Sequence, residues 1–182
     1  PEQIMSAFMN NDVKSGKLSA VKDKYHINVS KYETNESLDK ALSTATKDKE
    51  LTFATSSIKP EGCDLAYSVK SGDSKLMSVY LKRDDKKRYS ISGIDFDKKL
   101  YKTYKISATS DAEISVNGVT VKNGDRKNEE LPDIDNALTK GTNIINKQII
   151  TLDNMLSDEP QITAKTGSTS LPVEKNGTVY NV

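Results

Sequence analysis

The spacing of apolar residues changes once along this 182-residue chain, and the change limits the folds that are open to it. Before Glu50 the apolar residues recur at intervals of three and four, as they do along one face of a helix. From Glu50 onwards they alternate with polar residues, which is the pattern of strands that have one buried face. The sequence therefore predicts helices first and an antiparallel meander after them.

Three short helices are predicted before Glu50. Pro1 and Glu2 suit a first helical turn, and we expect the first helix to end near Val13. Thr34 or Asn35 is suited to cap the third helix. The apolar residues that define the three helical faces are Ile4, Met5, Phe8 and Met9; then Leu18, Val21 and Tyr25; and finally Leu38, Ala41, Leu42 and Ala45.

Four strands are predicted between Glu50 and residue 100, at about residues 51–55, 65–69, 76–81 and 89–96. The breaks between them are rich in Gly, Pro, Asp and Lys, which suits hairpin connections. Helices followed by an antiparallel meander are typical of an α+β fold in which N-terminal helices cover one face of a curved sheet. We assign this domain to residues 1–100.

The remainder, residues 101–182, is predicted to be a small, sandwich-like all-β domain. Its strongest local signal is Asn117-Gly118 between alternating apolar positions, which predicts a two-residue hairpin. A second Asn-Gly hairpin is expected at residues 175–178, and residues 167–170 are predicted to be flexible. Further strands are expected at residues 100–106, 148–152 and 161–165. Ile134 and Leu138 predict a short helix before Gly141, and Ile144 and Ile145 an extended continuation after it.

Few residues in this chain are suited to catalysis or to binding a metal. Cys63 and His26 are the only residues of their kinds, so neither an intrachain disulfide nor a zinc site built on cysteines is available. We interpret Cys63 as an inert, half-buried thiol and His26 as a local structural or surface residue.

Two pairs of carboxylates are spaced so that both members of a pair would lie on one face of a strand, Asp95 with Asp97 and Asp133 with Asp135. Such a pair suits calcium binding or acid–base chemistry. Neither pair continues into the longer pattern of a calcium-binding loop, so we interpret both as solvated carboxylates. No catalytic, cofactor-binding or metal-binding residue is therefore assigned.

The charge balance gives no reason to expect a strongly charged partner. The 27 Lys and Arg residues nearly cancel the 26 Asp and Glu residues, which leaves a net charge of +1. Neither nucleic acid nor an anionic membrane surface is implied as a partner. The basic cluster at residues 82–88 is interrupted by acids and is predicted to be a solvated hairpin tip.

Helices followed by long meandering strands resemble the NTF2-like, cystatin-like cone domain. The stretches that carry the resemblance are residues 3–10 for the first helix and residues 64–97 for the strands. The resemblance implies a pocket between the sheet and a helix. Catalytic members place an Asp, His or Tyr inside the cone, but no Asp–His pair falls on the predicted strands here, so no active-site residue is carried over.

The stretch that ends in Val116-Asn117-Gly118 is similar to small β domains of surface proteins, of which PEGA-type repeats are one kind. The combination of a cone-like and a β domain resembles membrane-anchored surface proteins of Gram-positive gut bacteria. That resemblance implies an extracellular location, with an anchor in a segment preceding Pro1. The partner would be an unidentified protein or the cell wall, and no cofactor is implied.

We therefore predict a non-catalytic binding or spacer module of a bacterial surface protein. The alternative is a small-molecule carrier or enzyme that uses a cavity in the first domain. A purely structural stalk is a third possibility.

Overall fold

The computed structural model describes residues 1–16, 22, 25–128 and 147–182, with only the backbone of His26. The described residues form two compact units. The first consists of Pro1–Lys102 together with Asn154–Asp158, and the second of Thr103–Asp153 together with Glu159–Val182. The domain bounds taken from the sequence, 1–100 and 101–182, place residues 154–158 in the second half, whereas the structure places them in the first unit.

The predicted α+β class, with N-terminal helices packed on a sheet and a small β domain after it, is wrong. The described part of the chain is mainly β: strands hold 46% of it and helices 20%, with one 12-residue helix and three sheets. The first predicted helix ends at Val13, as expected, but only α1 (Glu2–Phe8) is an α-helix and Met9–Val13 is a π-helical turn. Asn and Asp in that turn are weak formers of α-helix, which favours this change.

Helix α2 (Asn35–Thr46) is the third of the predicted helices. It begins with a capping box: the Thr34 side chain accepts a hydrogen bond from the Ser37 amide at 3.2 Å, and the Ser37 hydroxyl accepts one from the Thr34 amide at 2.9 Å. These bonds satisfy amide groups that have no partner within the helix. Thr34 is therefore the cap, and Leu38 and Leu42 are buried on the inner face of the helix.

The first unit contains a five-stranded sheet with the strand order β1-β5-β4-β3-β2. Strand β1 runs parallel to β5, and the other neighbours are antiparallel. The four strands predicted between residues 50 and 100 are confirmed. The strands are β1 (His26–Ile27), β2 (Leu51–Ser56), β3 (Leu65–Ser71), β4 (Ser74–Arg83) and β5 (Tyr89–Phe96).

Apolar side chains that alternate with polar ones along the strands form the core of the first unit. Val69 pairs with Met77 and Tyr67 pairs with Val79, and all four side chains are buried in one hydrophobic cluster. The cluster also contains residues from α1, the π-helical turn and α2, as well as Leu156 from the distant part of the unit. Fully burying side chains of this size contributes about 1.5–3 kcal/mol each relative to leaving them exposed.

The second unit contains two sheets, with the strand orders β13-β14-β6-β10-β9 and β12-β11-β7-β8. Lys102 and residues 154–155, at the ends of β6 and β10, belong to the first unit. The strands are β6 (Lys102–Thr109), β7 (Glu113–Val116), β8 (Val119–Thr120), β9 (Arg126–Asn128), β10 (Lys147–Met155), β11 (Ile162–Thr166), β12 (Thr169–Leu171), β13 (Glu174–Asn176) and β14 (Val179–Asn181).

Both predicted Asn-Gly hairpins are confirmed. Asn117 and Gly118 have φ values of 50° and 79° and connect β7 to β8, which is the backbone of a type I′ turn. Gly177, with a φ of 61°, lies in the turn between β13 and β14. Residues 167–170, predicted to be flexible, instead provide a hairpin turn at Gly167 and most of β12.

Some predicted features lie outside the described residues. They are the second helix, with Leu18 and Val21; the short helix before Gly141 and the extended continuation with Ile144 and Ile145; and the carboxylate pair Asp133 and Asp135.

Substituting Gly118 tests the Asn-Gly turn. Gly118→Ala places a Cβ on a residue whose φ is 79°, although no heavy atom would lie within 4 Å of it. The left-handed backbone alone should therefore lower the free energy of unfolding, by about 1 kcal/mol. Gly124→Ala is the matched control, because Gly124 also has open space but no positive φ. Equal stability of the two variants in urea denaturation would contradict the left-handed backbone that is assigned to Gly118.

Candidate functional site

Where the structure describes them, the predicted chemical residues do not come together in one site. Asp95 accepts a hydrogen bond from the Tyr80 hydroxyl at 3.0 Å, whereas Asp97 accepts one from the Lys99 amide at 3.0 Å and caps a short turn. The Cys63 sulfur lies 3.9 Å from the Ser92 hydroxyl oxygen. Within the described ranges, no group of three or more His, Cys, Asp or Glu residues is arranged to hold a metal ion.

The basic cluster at residues 82–88 is a hairpin tip, as predicted. The Asp84 carboxylate accepts hydrogen bonds from the Arg88 amide at 2.8 Å and from its Nε at 2.9 Å. The Arg88 amide bond, followed by the guanidinium, lowers the pKa of Asp84. Asp84 and Arg88 are both exposed, so this ion pair fixes the turn and adds little to stability.

A buried carboxylate that no sequence pattern indicated organises the first unit. Glu33 is 2% exposed. Its Oε1 accepts hydrogen bonds from the amides of Leu156 at 2.7 Å and Ser157 at 2.8 Å. Its Oε2 accepts from the Ser157 hydroxyl at 2.6 Å and from the Ser37 hydroxyl. Four donors thus surround one carboxylate, which compensates for its removal from water.

Residues 154–158, which we call the return segment, are held at a second point as well. The Ser30 amide donates to the Asn154 carbonyl at 2.9 Å, and Asn154 adopts a φ of 55°. Asn is one of the few residues that tolerate this backbone conformation. The return segment therefore joins the first unit through backbone hydrogen bonds as well as through Glu33, and it brings the Leu156 side chain into the core.

The return segment also completes a cavity beside α2, which we call the helix pocket. The pocket has a volume of about 220 Å³ and is largely apolar. Its lining comes from α2, β4, β5, the residues after β5 and the return segment. The lining residues are Ala41, Leu42, Thr44, Ala45, Leu76, Phe96, Lys99, Leu100, Lys102, Leu156 and Asp158.

Three charged residues line the pocket. Lys102 and Asp158 form an ion pair in which both side chains are partly exposed, so their charges compensate each other. Lys99 is exposed and makes no ion pair with the described residues. The pocket therefore combines an apolar wall with one positive charge, that of Lys99, which no acidic side chain in the described part of the chain compensates. Among the described residues that line the pocket there is no tyrosine, and Asp158 carries the only carboxylate.

No protein-family model, curated protein or solved structure matches the chain. The helix pocket lies between α2 and strands of the first sheet, where the resemblance to NTF2-like domains implied a pocket. The resemblance itself stays a prediction. None of the described helices is long and apolar enough to cross a membrane.

Tyr101 ties the residues after β5 to the chain that follows β1. Its hydroxyl donates to the Asn28 carbonyl at 2.6 Å, and its ring packs edge-on against Phe96. Burial raises the pKa of the Tyr101 phenol, because the phenolate would lose its hydration. The ring thus supports Phe96, which lines the helix pocket.

Glu33→Ala tests whether the carboxylate holds the return segment. The substitution leaves the Leu156 and Ser157 amides without their acceptor in a buried place, and we expect a loss of about 3 kcal/mol in the free energy of unfolding. Glu36→Ala is the control, because Glu36 is exposed in the first turn of α2 and should cost less than about 1 kcal/mol. Equal losses in urea denaturation would show that Glu33 does not stabilise the unit.

Tyr101→Phe tests the half-buried phenol through the dependence of stability on pH. A pKa raised on folding means that the folded state holds the proton more tightly. The stability that the protonated Tyr101 phenol contributes is therefore complete below pH 10.0, the ordinary pKa of a tyrosine, and is lost as the pH rises through the raised pKa. The variant should be about 1 kcal/mol less stable at neutral pH, because the hydrogen bond to Asn28 is lost. Above pH 10 its free energy of unfolding should decline less steeply than that of the unmodified protein. Parallel pH curves for the two proteins would contradict this role.

Proposed function

We propose that the chain is a non-catalytic binding module of a bacterial surface protein, and that it binds its ligand in the helix pocket. The ligand class is a small molecule or group with an apolar body and one anionic substituent. The observation that carries the proposal is the apolar pocket with Lys99 in its lining.

The size of the pocket suits a single ring or a short branched chain. Its volume of about 220 Å³ exceeds that of the cavity of about 150 Å³ that admits benzene in an engineered protein. It is smaller than the range of about 300–1,000 Å³ typical of pockets for drug-sized ligands. A small aromatic or branched aliphatic body therefore fits better than a nucleotide or a sugar chain, and the apolar lining favours such a body.

The charges at the pocket favour an anion over a cation. Asp158 is paired with Lys102, so its carboxylate is occupied, whereas Lys99 brings a positive charge without an acidic partner among the described residues. A ligand carboxylate near Lys99 would make a partly exposed ion pair, which is worth up to about 1 kcal/mol. The charge thus selects among apolar ligands, and burial of the apolar body supplies most of the affinity.

The cellular setting of this proposal comes from the sequence. The extracellular location, the anchor in a preceding segment and the absence of catalysis are predictions from residue types and resemblance. The binding-module hypothesis and the small-molecule carrier hypothesis converge on the same cavity, and binding there requires no catalytic residue.

Phenylacetate and 2-phenylethanol are matched probes for this pocket, because they share a ring and differ mainly in charge. In amide-detected NMR titrations we expect both to shift resonances of α2 and residues 96–102. Phenylacetate should bind about fivefold more tightly, as expected for about 1 kcal/mol. Lys99→Met should remove this preference and leave the binding of 2-phenylethanol unchanged.

Ala45→Leu tests the location of binding, since it fills the pocket from α2. Lys40→Leu is the matched control, because Lys40 is exposed on the same helix and does not line the pocket. Ala45→Leu should weaken both probes by about tenfold, and Lys40→Leu should leave binding unchanged. Equal binding to both variants, or no resonance shift with either probe, would overturn the proposal.

A further inference from the structure

Strand β2 is an open sheet edge without the usual protection. It is the outermost strand of the first sheet on one side, and no described strand lies beyond it. The other outermost strands of the three sheets have two or three residues, whereas β2 has six. Its sequence, Leu-Thr-Phe-Ala-Thr-Ser, contains neither a charge nor a proline. Natural proteins commonly protect an edge of this kind with one or the other.

The hydrogen bonds to β3 show which backbone groups of β2 are unused by the sheet. The Gly72 amide donates to the Glu50 carbonyl at 2.8 Å. In the same register, Leu51 pairs with Ser71 at one end of β2 and Ser56 pairs with Ala66 at the other. Bonded and non-bonded pairs alternate in an antiparallel ladder. The even-numbered residues of β2 therefore bond to β3, and the amides and carbonyls of the odd-numbered residues point away from the sheet.

This edge is accessible within the described structure. Thr52, Ala54 and Thr55 are exposed, and Leu51 and Phe53 are half-buried. Ile58, two residues beyond the strand, is 83% exposed, the highest value among the large hydrophobic side chains of the described residues. An accessible edge, an uncharged sequence and a nearby apolar side chain together indicate a surface for adding a strand.

We propose that a second copy of this chain occupies the edge, through antiparallel pairing of β2 with β2 about a two-fold axis at Phe53. In this register Phe53 lies opposite Phe53 of the other copy, and Leu51 lies opposite Thr55 in both directions. All the outward-pointing residues of β2 are then paired, and each such pair exchanges two hydrogen bonds. One continuous sheet runs through both copies.

The uncharged sequence of β2 suits pairing with a second copy of the same strand. A two-fold interface places the same strand against itself, so any charge in β2 would face a like charge or lie close to one. The strand has none. The register also places Thr52 opposite Ala54 of the other copy on the exposed face, where two small side chains meet without a clash.

Charge pairs introduced at Thr52 and Ala54 test both the occupant and the register. The variant Thr52→Lys with Ala54→Lys places lysines opposite lysines across the two-fold axis, and Thr52→Glu with Ala54→Glu does the same with acids. Both positions are exposed, so the fold of the monomer should tolerate them. The measurement is sedimentation velocity over a wide range of protein concentration.

We expect the unmodified chain to form a dimer with rising concentration. Each double variant alone should dimerise at least about tenfold more weakly, because like charges lie directly opposite each other. An equimolar mixture of the two should recover the dimer, which also shows that both variants are folded. A chain that stays monomeric throughout, a double variant that dimerises as the unmodified chain does, or a mixture that stays monomeric would overturn the proposal.

Discussion

The first unit depends on the hydrogen bonds that Glu33 accepts from the return segment. A carboxylate at 2% exposure is unfavourable unless donors surround it, and Leu156, Ser157 and Ser37 provide them. The carboxylate and the segment therefore stabilise each other's position. Leu156 enters the core and Asp158 reaches Lys102 because the residues between them are held by this interaction. The helix pocket has a wall on that side for the same reason.

The two proposed interactions of the first unit use different surfaces. The helix pocket is bounded by α2, by β4 and β5 and by the return segment, whereas the open edge belongs to β2 at the end of the strand order. Occupying one surface leaves the other accessible. A dimer built on β2 would therefore carry two independent pockets. Binding of a ligand with two apolar anionic groups would then gain from the high local concentration of the second site.

Local features of this chain were predictable where a short stretch of sequence determines them. The strand at residues 89–96, the Asn117-Gly118 turn and the Thr34 cap each involve neighbouring residues, and the structure confirms all of them. The fold class was not predicted, because helical spacing at the N-terminus indicates which face is apolar but not how far a helix extends. Glu33 was missed for another reason. Its partners in the return segment lie more than a hundred residues further along the chain, and nothing in either stretch alone indicates the other.

The order of the chain has a consequence for how the protein is made. Residues 154–158 belong to the first unit but are synthesised after most of the second. Domains commonly fold during synthesis from the N-terminus onwards, as soon as their own residues have emerged from the ribosome. Here the core of the first unit lacks Leu156, and Glu33 lacks two amide donors, until the intervening residues 103–153 have been synthesised. Completion of the first unit is therefore late relative to the synthesis of its first hundred residues, and it is tied to the emergence of residues 154–158.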